Sequence, residues 1–308
     1  MTSPKKITRI GIVIKHHHPE AADLACRMTE FLLSHGRHVI FATESDIITR
    51  GIIKAKKGQT ALLRRIKVIE KKDMVNQTDL IIVMGGDGTY LSIARLMKNR
   101  SVPVLGINMG QLGFLTETKQ SEAFDTVGRL LAGEIPIISE RVLLEVTLRR
   151  KGKVIFQGPV VNDAVISKGA IARIIGMEVK VNGKLVNQVR ADGIIVSTPT
   201  GSTAYSLAAG GPIMEPTVPA LILTPICAHA LTQRPLVVAD HSVIEIRLNH
   251  RPGHVLLTLD GQDVVDMRED DVVTVQRFKK HRLELISSPT RDYFSLLREK
   301  LKFGSRDG

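Results

Sequence analysis

The sequence contains no tryptophan, and aromatic residues make up only 4% of its 308 residues. Its cores must therefore consist of aliphatic side chains; hydrophobic residues account for 43% of the chain, as in an ordinary globular protein. Cysteine is equally scarce, with Cys26 and Cys227 far apart and no ligand pattern around either. Two such cysteines predict neither a disulfide framework nor a zinc site, and they indicate a reducing compartment.

Long apolar runs are also missing from the sequence. The run at residues 10–14 is too short for the core of a signal peptide. No stretch reaches the roughly 18 apolar residues that a membrane-spanning helix needs. We therefore expect no membrane span and no membrane partner, and we expect the protein to be cytoplasmic.

Acidic residues are outnumbered, with 31 Asp and Glu against 43 Lys and Arg, so the formal net charge is +12. A basic surplus attracts anions such as nucleotides, nucleic acids or acidic membranes. Many of these cations crowd residues 54–72, which form either a solvated helix face or loop, or a rim that attracts phosphates. We expect no nucleic-acid partner, because stacking aromatics are scarce and no known reader motif occurs.

The first third of the chain alternates short apolar runs with helical periodicity. Strands are predicted at residues 7–14, 39–42, 80–84 and 102–107, and helices at residues 19–34 and 89–98. Strands that alternate with helices predict a parallel sheet with right-handed crossovers. The expected fold class is therefore α/β, with an N-terminal parallel-sheet domain.

The pattern changes near residue 140, after which short strands dominate. They are predicted at residues 142–148, 154–157, 160–167, 177–181, 194–198, 243–248, 254–259 and 272–275. Asn-Gly and Asp-Gly turns at residues 181–184 and 259–262 are hairpin signals. We predict an α/β domain over residues 1–140 and a β-rich, sandwich-like domain over residues 141–287. A helical tail within residues 288–308 is expected to pack on the first domain.

A Gly-Gly-Asp-Gly-Thr motif at residues 85–89 joins a predicted strand to a predicted helix. Glycines let backbone amides approach a phosphate closely, and the helix N terminus favours negative charge. In parallel sheets, ligands bind at the carboxyl ends of the strands, where this motif lies. Asp87 is then suited to take a proton from an attacking hydroxyl or to bind magnesium, although an ordinary helix-capping turn has the same composition.

A second polar cluster occupies residues 190–206. On one extended strand, Arg190 and Asp192 would share a face and could present a cation and a carboxylate to one ligand. The hydroxyl-rich and glycine-rich turn that follows offers donors to ribose or phosphate, and Tyr205 offers a ring for stacking on a base or nicotinamide. The alternative is a connecting loop with an Arg–Asp pair at the surface.

Together these segments resemble the signatures of bacterial NAD kinases. The matching segments are residues 85–91, 106–115, 162–163, 190–212, 224–227, 234–236 and 260–262. They occur in family order, and the run from residue 192 to residue 212 is highly specific. The first glycine motif is weak by itself, because lipid kinases and phosphofructokinases carry a similar one.

The resemblance implies that the terminal phosphate of ATP is transferred to the 2′-hydroxyl of the adenosine ribose of NAD, which gives NADP. It also implies that the parallel-sheet domain is a nucleotide domain and that the β-rich domain over residues 141–287 binds the dinucleotide. A divalent cation such as Mg²⁺, to which no ligand is assigned, and a homo-oligomer, either a dimer or a tetramer, are implied as well. By position, Asp87 would be the catalytic base and Gly88 would contact the substrate. The other implied NAD-binding residues are Asn162, Asp163, Arg173, Arg190, Asp192, Thr203, Ala204, Tyr205, Ser206, Leu207, Ala208 and Gln262.

Asn162 and Asp163 need a particular backbone to act together. Adjacent residues of a regular strand point to opposite faces, so both side chains reach one ligand only at a strand end or a bulge.

Two other functions also fit parts of the sequence: a lipid or sugar kinase that shares the glycine turn, and a dinucleotide sensor without catalysis. The former predicts no need for the cluster at residues 190–208, and the latter predicts binding without turnover.

Overall fold

The computed structural model describes residues 7–15, 18–43, 64–134, 138–169, 173–250 and 253–302. Residues 54–63 of the basic stretch at residues 54–72 therefore lie outside the described residues. The chain divides into two compact units, of which the first comprises Met1–Glu140 and Leu283–Gly308 and the second comprises Arg141–Arg282. Among the helices that the structure describes, none is long and apolar enough to cross a membrane.

The first unit contains a mainly parallel sheet, with strands numbered here along the whole chain. Its strands are β1 (Arg9–Ile14), β2 (His38–Ala42), β3 (Ile66–Ile69), β4 (Leu80–Gly85), β5 (Val104–Asn108), β6 (Thr118–Lys119), β7 (Ile138–Arg141) and β20 (Leu283–Ile286). Their order is β3-β2-β1-β4-β5-β20-β7. β6 pairs in parallel with the last residues of β5, whereas β20 pairs in parallel with its first residues.

Helices accompany this sheet in the same unit: α1 (Pro19–Ser34), α2 (Met74–Gln77), α3 (Asp87–Ala94), α4 (Ala123–Leu131) and α6 (Tyr293–Leu301). α1 buries a stripe that includes Leu24, Met28 and Leu32 against the apolar residues of β1 and β4. Burial of each such side chain contributes about 1.5–3 kcal/mol, so an aliphatic core suffices without tryptophan. The structure confirms the predicted parallel-sheet class for this part of the chain.

The second unit is a sandwich of two antiparallel six-stranded sheets. Its strands are β8 (Leu144–Arg150), β9 (Lys153–Val160), β10 (Asp163–Lys168), β11 (Ile175–Val181), β12 (Lys184–Ala191), β13 (Gly193–Ser197), β14 (Ala220–Ile226), β15 (Leu236–Ala239), β16 (Ile244–His250), β17 (Val255–Leu259), β18 (Asp263–Met267) and β19 (Val272–Arg277). The two sheets have the orders β15-β14-β13-β10-β17-β18 and β12-β11-β16-β19-β8-β9. One aliphatic cluster receives side chains from both sheets, which confirms the β-rich, sandwich-like prediction.

Both predicted hairpin turns are present in this sandwich. Asn182 and Gly183 have φ values of 52° and 75° between β11 and β12. Asp260 and Gly261 have φ values of 50° and 65° between β17 and β18. Positive φ at two successive turn residues is the conformation that Asn-Gly and Asp-Gly favour, which is why the sequence signal is reliable here.

The segment at residues 283–287 differs from its predicted place. The sequence assigned it to the β-rich domain, whereas the structure places β20 in the parallel sheet between β5 and β7. β20 reads Leu-Glu-Leu-Ile, and such a short strand carries no signal for the sheet that it joins. The tail that belongs to the first unit therefore begins at Leu283, before the predicted residue 288.

Candidate functional site

Asp87 lies at the carboxyl end of β4, where α3 begins. Gly86 is the N-cap residue of this helix, and Asp87 is its first residue. A Cβ on Gly85 would collide with the side chain of Thr89, so the turn between strand and helix requires glycine there. No described atom lies within 4 Å of a Cβ built on Gly86 or Gly88, so the helix N terminus adjoins open space.

Four hydrogen bonds fix the carboxylate of Asp87. The backbone amide of Phe114 donates to Oδ2 at 2.9 Å. The backbone amides of Leu115 and Thr116 donate to Oδ1 at 3.1 Å each, and Thr116 Oγ1 donates to the same oxygen at 3.0 Å. A carboxylate offers about four lone-pair directions, and Oδ2 uses fewer of them than Oδ1 does. Oδ2 is therefore the oxygen with capacity for a further partner.

The loop at residues 113–116 is built to approach Asp87 closely. A Cβ on Gly113 would collide with Asp87 Oδ1 and Thr116 Oγ1, so only glycine fits. Asn108, at the end of β5, donates through Nδ2 to Thr116 Oγ1 at 3.2 Å and to the carbonyl of Gln111. Its Oδ1 accepts from the amide of Gly110 at 2.7 Å. These bonds hold both ends of the turn that precedes the Asp87 contacts.

A cavity of about 350 Å³ lies in the second unit. The lining residues come from β10 and the residue before it, from the segment after β13, and from β17 and the turn that follows it. They are Asn162, Asp163, Val165, Ser167, Ala204, Tyr205, Thr258, Asp260 and Gly261. Asn162 precedes β10 and Asp163 is its first residue, so the pair lies at a strand end. That position meets the condition under which adjacent side chains can reach one ligand.

Two loops that line this cavity are fastened to each other. The amide of Thr198 donates to the carbonyl of Asn162 at 2.9 Å, and Thr198 Oγ1 donates to the carbonyl of Val161 at 2.6 Å. The amide of Gly201 donates to Thr198 Oγ1 at 3.0 Å. A Cβ on Gly201 would collide with the backbone of Asn162. The hydroxyl-rich turn is thereby brought against the residues before β10.

Asp260 holds the same residues from the other side. Its Oδ1 accepts from the amides of Asn162 at 2.7 Å and Asp163 at 3.3 Å, and its Oδ2 accepts from the amide of Val161 at 3.0 Å. The side chain of Asp163 is 3% exposed. Burial, and secondarily the nearby Asp260 carboxylate, raises the pKa of Asp163 from 3.8 to about 7. The cavity therefore contains a carboxyl group that changes its charge near neutral pH.

Other predicted ligands of the second unit lie apart from this cavity's lining. Arg190 is exposed on β12, opposite Gly176 of β11. Asp192 follows the end of β12, at the point where the chain passes into the other sheet, and it pairs with Lys168 at 2.7 Å. Arg190 and Asp192 do not lie on one extended strand, which is the condition under which they would share a face, because β12 ends between them. Arg173 is exposed.

The short helix α5 (Tyr205–Ala208) contributes unequally to the cavity. Ala204 and Tyr205 line it, and Tyr205 is 48% exposed, which leaves its ring accessible for stacking. Ser206 is fully buried, and its hydroxyl shares a hydrogen bond of 2.9 Å with Thr224. Of the remaining predicted residues, Thr203, Leu207 and Gln262 are half-buried and Ala208 is exposed.

Comparison with known proteins identifies the family. The ATP-NAD kinase N-terminal domain matches residues 10–135, and the ATP-NAD kinase C-terminal domain matches residues 161–287. The chain belongs to the ATP-NAD kinase family. The predicted resemblance to bacterial NAD kinases is thereby confirmed.

Relatives in this family extend over nearly the whole chain. It is 42% identical to the NAD kinase of Geotalea daltonii over 97% of this chain and 99% of the relative. It is 46% identical to the NAD kinase of Trichlorobacter lovleyi over 77% of this chain and 83% of the relative. The family assignment therefore rests on both units and not on one motif.

Solved structures agree with the fold. A yeast NADH kinase complexed with NADH has a TM-score of 0.87 and 27% identity, covering 98% of this chain and 89% of that chain. An NAD kinase from Archaeoglobus fulgidus in complex with ATP has a TM-score of 0.67 and 22% identity, covering 95% of this chain and 99% of that chain, which shows the fold alone.

Sequence reasoning missed the residues that hold the predicted site residues of this ATP-NAD kinase family member in place. Thr116 and Gly113 contact Asp87, and Asp260 secures Asn162 and Asp163. The only signal for them was their membership of the family-like segments or proximity to them. Contacts between residues 27 to 29 positions apart, or 97 to 99 apart, leave no local pattern.

Proposed function

We propose that this chain is an ATP-dependent NAD kinase that phosphorylates the 2′-hydroxyl of the adenosine ribose of NAD and releases NADP and ADP. The observation that carries the proposal is the Asp87 carboxylate, which four hydrogen bonds fix at a glycine-framed helix N terminus. Membership of the family supplies the substrates. Open space beside Gly86 and Gly88 supports an approach of phosphates to this helix end.

Asp87 acts as the base in this proposal. The ribose 2′-oxygen forms a bond to the terminal phosphorus of ATP, the bond from that phosphorus to the bridging oxygen breaks, and the hydroxyl proton passes to Oδ2. A carboxylate is a weak base, so proton transfer is late and positioning supplies most of the rate. The rigid hydrogen bonding of Asp87 suits that role.

We assign NAD binding to the residues named from the family resemblance. Asn162, Asp163, Ala204 and Tyr205 converge on the cavity in the second unit and hold the adenosine half of the dinucleotide. Gly88, Arg173, Arg190, Asp192, Thr203, Leu207, Ala208 and Gln262 are assigned to the remainder of the dinucleotide. Ser206 supports α5 through Thr224 instead of contacting the ligand with its hydroxyl.

We propose that a magnesium ion binds together with the nucleotide, through its phosphates. Among the described residues, no group of three or more His, Cys, Asp or Glu side chains could hold a metal ion. Mg²⁺ commonly binds through substrate phosphates with one or two carboxylates and several waters. Mg²⁺ would bind through the substrate phosphates and would supply charge neutralisation there, while Asp87 Oδ2 stays available for the hydroxyl proton.

We further propose that the protein is a cytoplasmic homo-oligomer. Leu231 is 89% exposed, and apolar residues of the edge strands β12 and β15 are exposed as well, among them Leu185 and Val237. Asn187 of β12 bonds to Gln233 near β15 at 2.7 Å, which joins these residues into one surface of the second unit. Burial between copies would remove this apolar area from water.

The proposed cytoplasmic location is supported by the cysteines. Both described cysteines are free, as a reducing cytoplasm requires.

The decisive experiment incubates purified protein with Mg²⁺, NAD and ATP that carries a labelled terminal phosphate. We expect label in a product that an NADP-specific dehydrogenase reduces, since such an enzyme reads the 2′-phosphate. NADH in place of NAD, and polyphosphate in place of ATP, define the acceptor and the donor. Thermal stabilisation by NADP without any turnover would instead identify a dinucleotide sensor, and phosphorylation of lipid or sugar alone would identify a different kinase.

A further inference from the structure

The C-terminal helix α6 contacts the residue that bonds to Asp87 Oδ2. The ring of Tyr293, the first residue of α6, lies 6.2 Å from the ring of Phe114 between centroids. Lys300 Nζ, in the last turn of the same helix, lies over the Phe114 ring at 4.7 Å from its centroid. Phe114 is the residue whose amide donates to Asp87 Oδ2 at 2.9 Å. α6 thus contacts the side chain of Phe114, and the backbone amide of Phe114 bonds to Asp87, the proposed base.

The segment before α6 secures the other end of the same loop. Arg291 binds Glu122 through two hydrogen bonds, of 2.8 and 2.9 Å, and donates to the carbonyl of Glu117 at 3.1 Å. The amide of Ser288 donates to Glu117 Oε2 at 3.2 Å. The Arg291 hydrogen bond lowers the pKa of Glu122 to about 2, so this ion pair persists throughout the neutral range.

We propose that residues 288–300 are a positioning device for Asp87. They hold the loop at residues 113–116 on both sides, at Phe114 and at Glu117, and that loop has no helix or strand of its own. Every backbone donor to Asp87 described above comes from this loop. Arg291, Tyr293 and Lys300 are therefore positioning residues, which never touch the substrate but fix the direction of Oδ2.

The expected signature follows from the chemistry. Phosphoryl transfer depends mainly on alignment, and a small displacement of a catalytic group lowers the rate of the chemical step without changing how the substrate binds. Loss of the contacts to Phe114 should therefore lower kcat and leave the KM for NAD unchanged. This inference rests on the proposed function, because it takes Asp87 as the base.

The test compares variants of α6 in the full-length protein. Tyr293→Leu and Lys300→Met, alone and together, remove the contacts to Phe114, whereas Tyr293→Phe and Lys300→Arg keep a ring and a cation. Arg298→Met is the matched control, because Arg298 is also exposed on α6 and has no ring contact of this kind described. Steady-state kcat, the KM values for NAD and ATP, and thermal unfolding are measured for each protein.

We expect the double variant to lower kcat about tenfold, with both KM values within about twofold and thermal unfolding close to that of the control. Tyr293→Phe and Lys300→Arg should restore most of kcat. If the double variant does not fold, the exposed Lys300→Met substitution decides the matter, with an expected loss in kcat of about threefold.

Three results would overturn the inference: an unchanged kcat, a rise in the KM for ATP at unchanged kcat, and an equal loss in Arg298→Met. The second would make Lys300 a ligand of the donor, and the third would indicate general destabilisation. A wild-type protein that makes no NADP at all contradicts the proposed function instead, so the two failures can be told apart.

Discussion

Thr116 Oγ1 donates a hydrogen bond of 3.0 Å to Oδ1 of Asp87 and accepts one of 3.2 Å from Asn108. The hydroxyl therefore links the end of β5 to the carboxylate at the end of β4. Neighbouring strands of a parallel sheet place their carboxyl ends together, which explains how residues distant in sequence meet here. The link gives Thr116 a role in orienting the base without contact to substrate.

Thr116→Val should lower kcat about tenfold, because the isosteric side chain keeps the packing and removes one of four hydrogen bonds to Asp87. Initial rates at saturating NAD and ATP measure the effect. Thr126→Val is a matched control: Thr126 is also buried, and its hydroxyl donates at 2.9 Å to the carbonyl of Glu122, the N-cap residue of its own helix α4. Equal losses in both variants would rule out a specific role for Thr116.

Asp87→Asn should reduce kcat at least about 100-fold, since an amide cannot accept the hydroxyl proton. It should retain NAD binding, which isothermal titration calorimetry can measure. The amide NH₂ must also face either the amide of Phe114 or the amides of Leu115 and Thr116, so we expect a loss of about 1–3 kcal/mol in stability. A folded variant with undiminished turnover would show that Asp87 is not the base.

Asp163→Asn should stabilise the protein at alkaline pH. The folded-state pKa of about 7 lies above the ordinary value of 3.8, so the wild type loses stability as pH rises through this window, whereas the amide does not titrate. We expect the variant to gain a few kcal/mol at pH 8 and nothing near pH 4. Thermal unfolding between these values tests this, with the exposed Asp125→Asn as control.

If the difference in stability between Asp163→Asn and the wild type did not change across that pH range, Asp163 would not be a buried carboxyl group that changes its charge. NAD titrations on the same samples separate stability from function. The variant should bind NAD more weakly at pH 8, because the amide replaces a carboxylate that can accept two ribose hydroxyl donors.

Gly201→Ala should weaken NAD binding and destabilise the second unit by about 1–3 kcal/mol. The added methyl group would collide with the backbone of Asn162, which cannot rotate away as a side chain can. Thermal unfolding and the KM for NAD are the measurements. Gly110→Ala is the control, because a Cβ there meets open space and its φ is not in the left-handed region. Similar effects of both changes would refute the role assigned to Gly201.

Much of the fold could be predicted from periodicity and turn chemistry. The helix predicted at residues 19–34 matches α1 (Pro19–Ser34), and both Gly-containing hairpins occur where their dipeptides indicate. The strands that the prediction missed include β3, β12, β14, β15, β18 and β20; of these, the four-residue strands β3 and β20 give too little pattern to detect or to assign to a sheet. The signals that succeeded were those in which neighbouring residues determine the local backbone.

In the candidate site, too, the residues of local motifs could be predicted and the contacts between distant residues could not. Asp87, Asn162 and Tyr205 could be named because they belong to contiguous motifs. The hydrogen bonds of Thr116 and Asp260 to these motifs could not be predicted, because tertiary packing alone brings the partners together. The pKa of Asp163 is equally invisible in the sequence, since burial is its main cause.

The insertion of β20 between β5 and β7 has a consequence for synthesis on the ribosome. The second unit is continuous in sequence and can complete its sandwich while later residues are still being added. The first unit lacks an internal strand of its sheet until Leu283–Ile286 emerge, so the newly made N-terminal segment must wait with an open sheet edge. We therefore expect chaperones to bind mainly to the part of the polypeptide that is translated first.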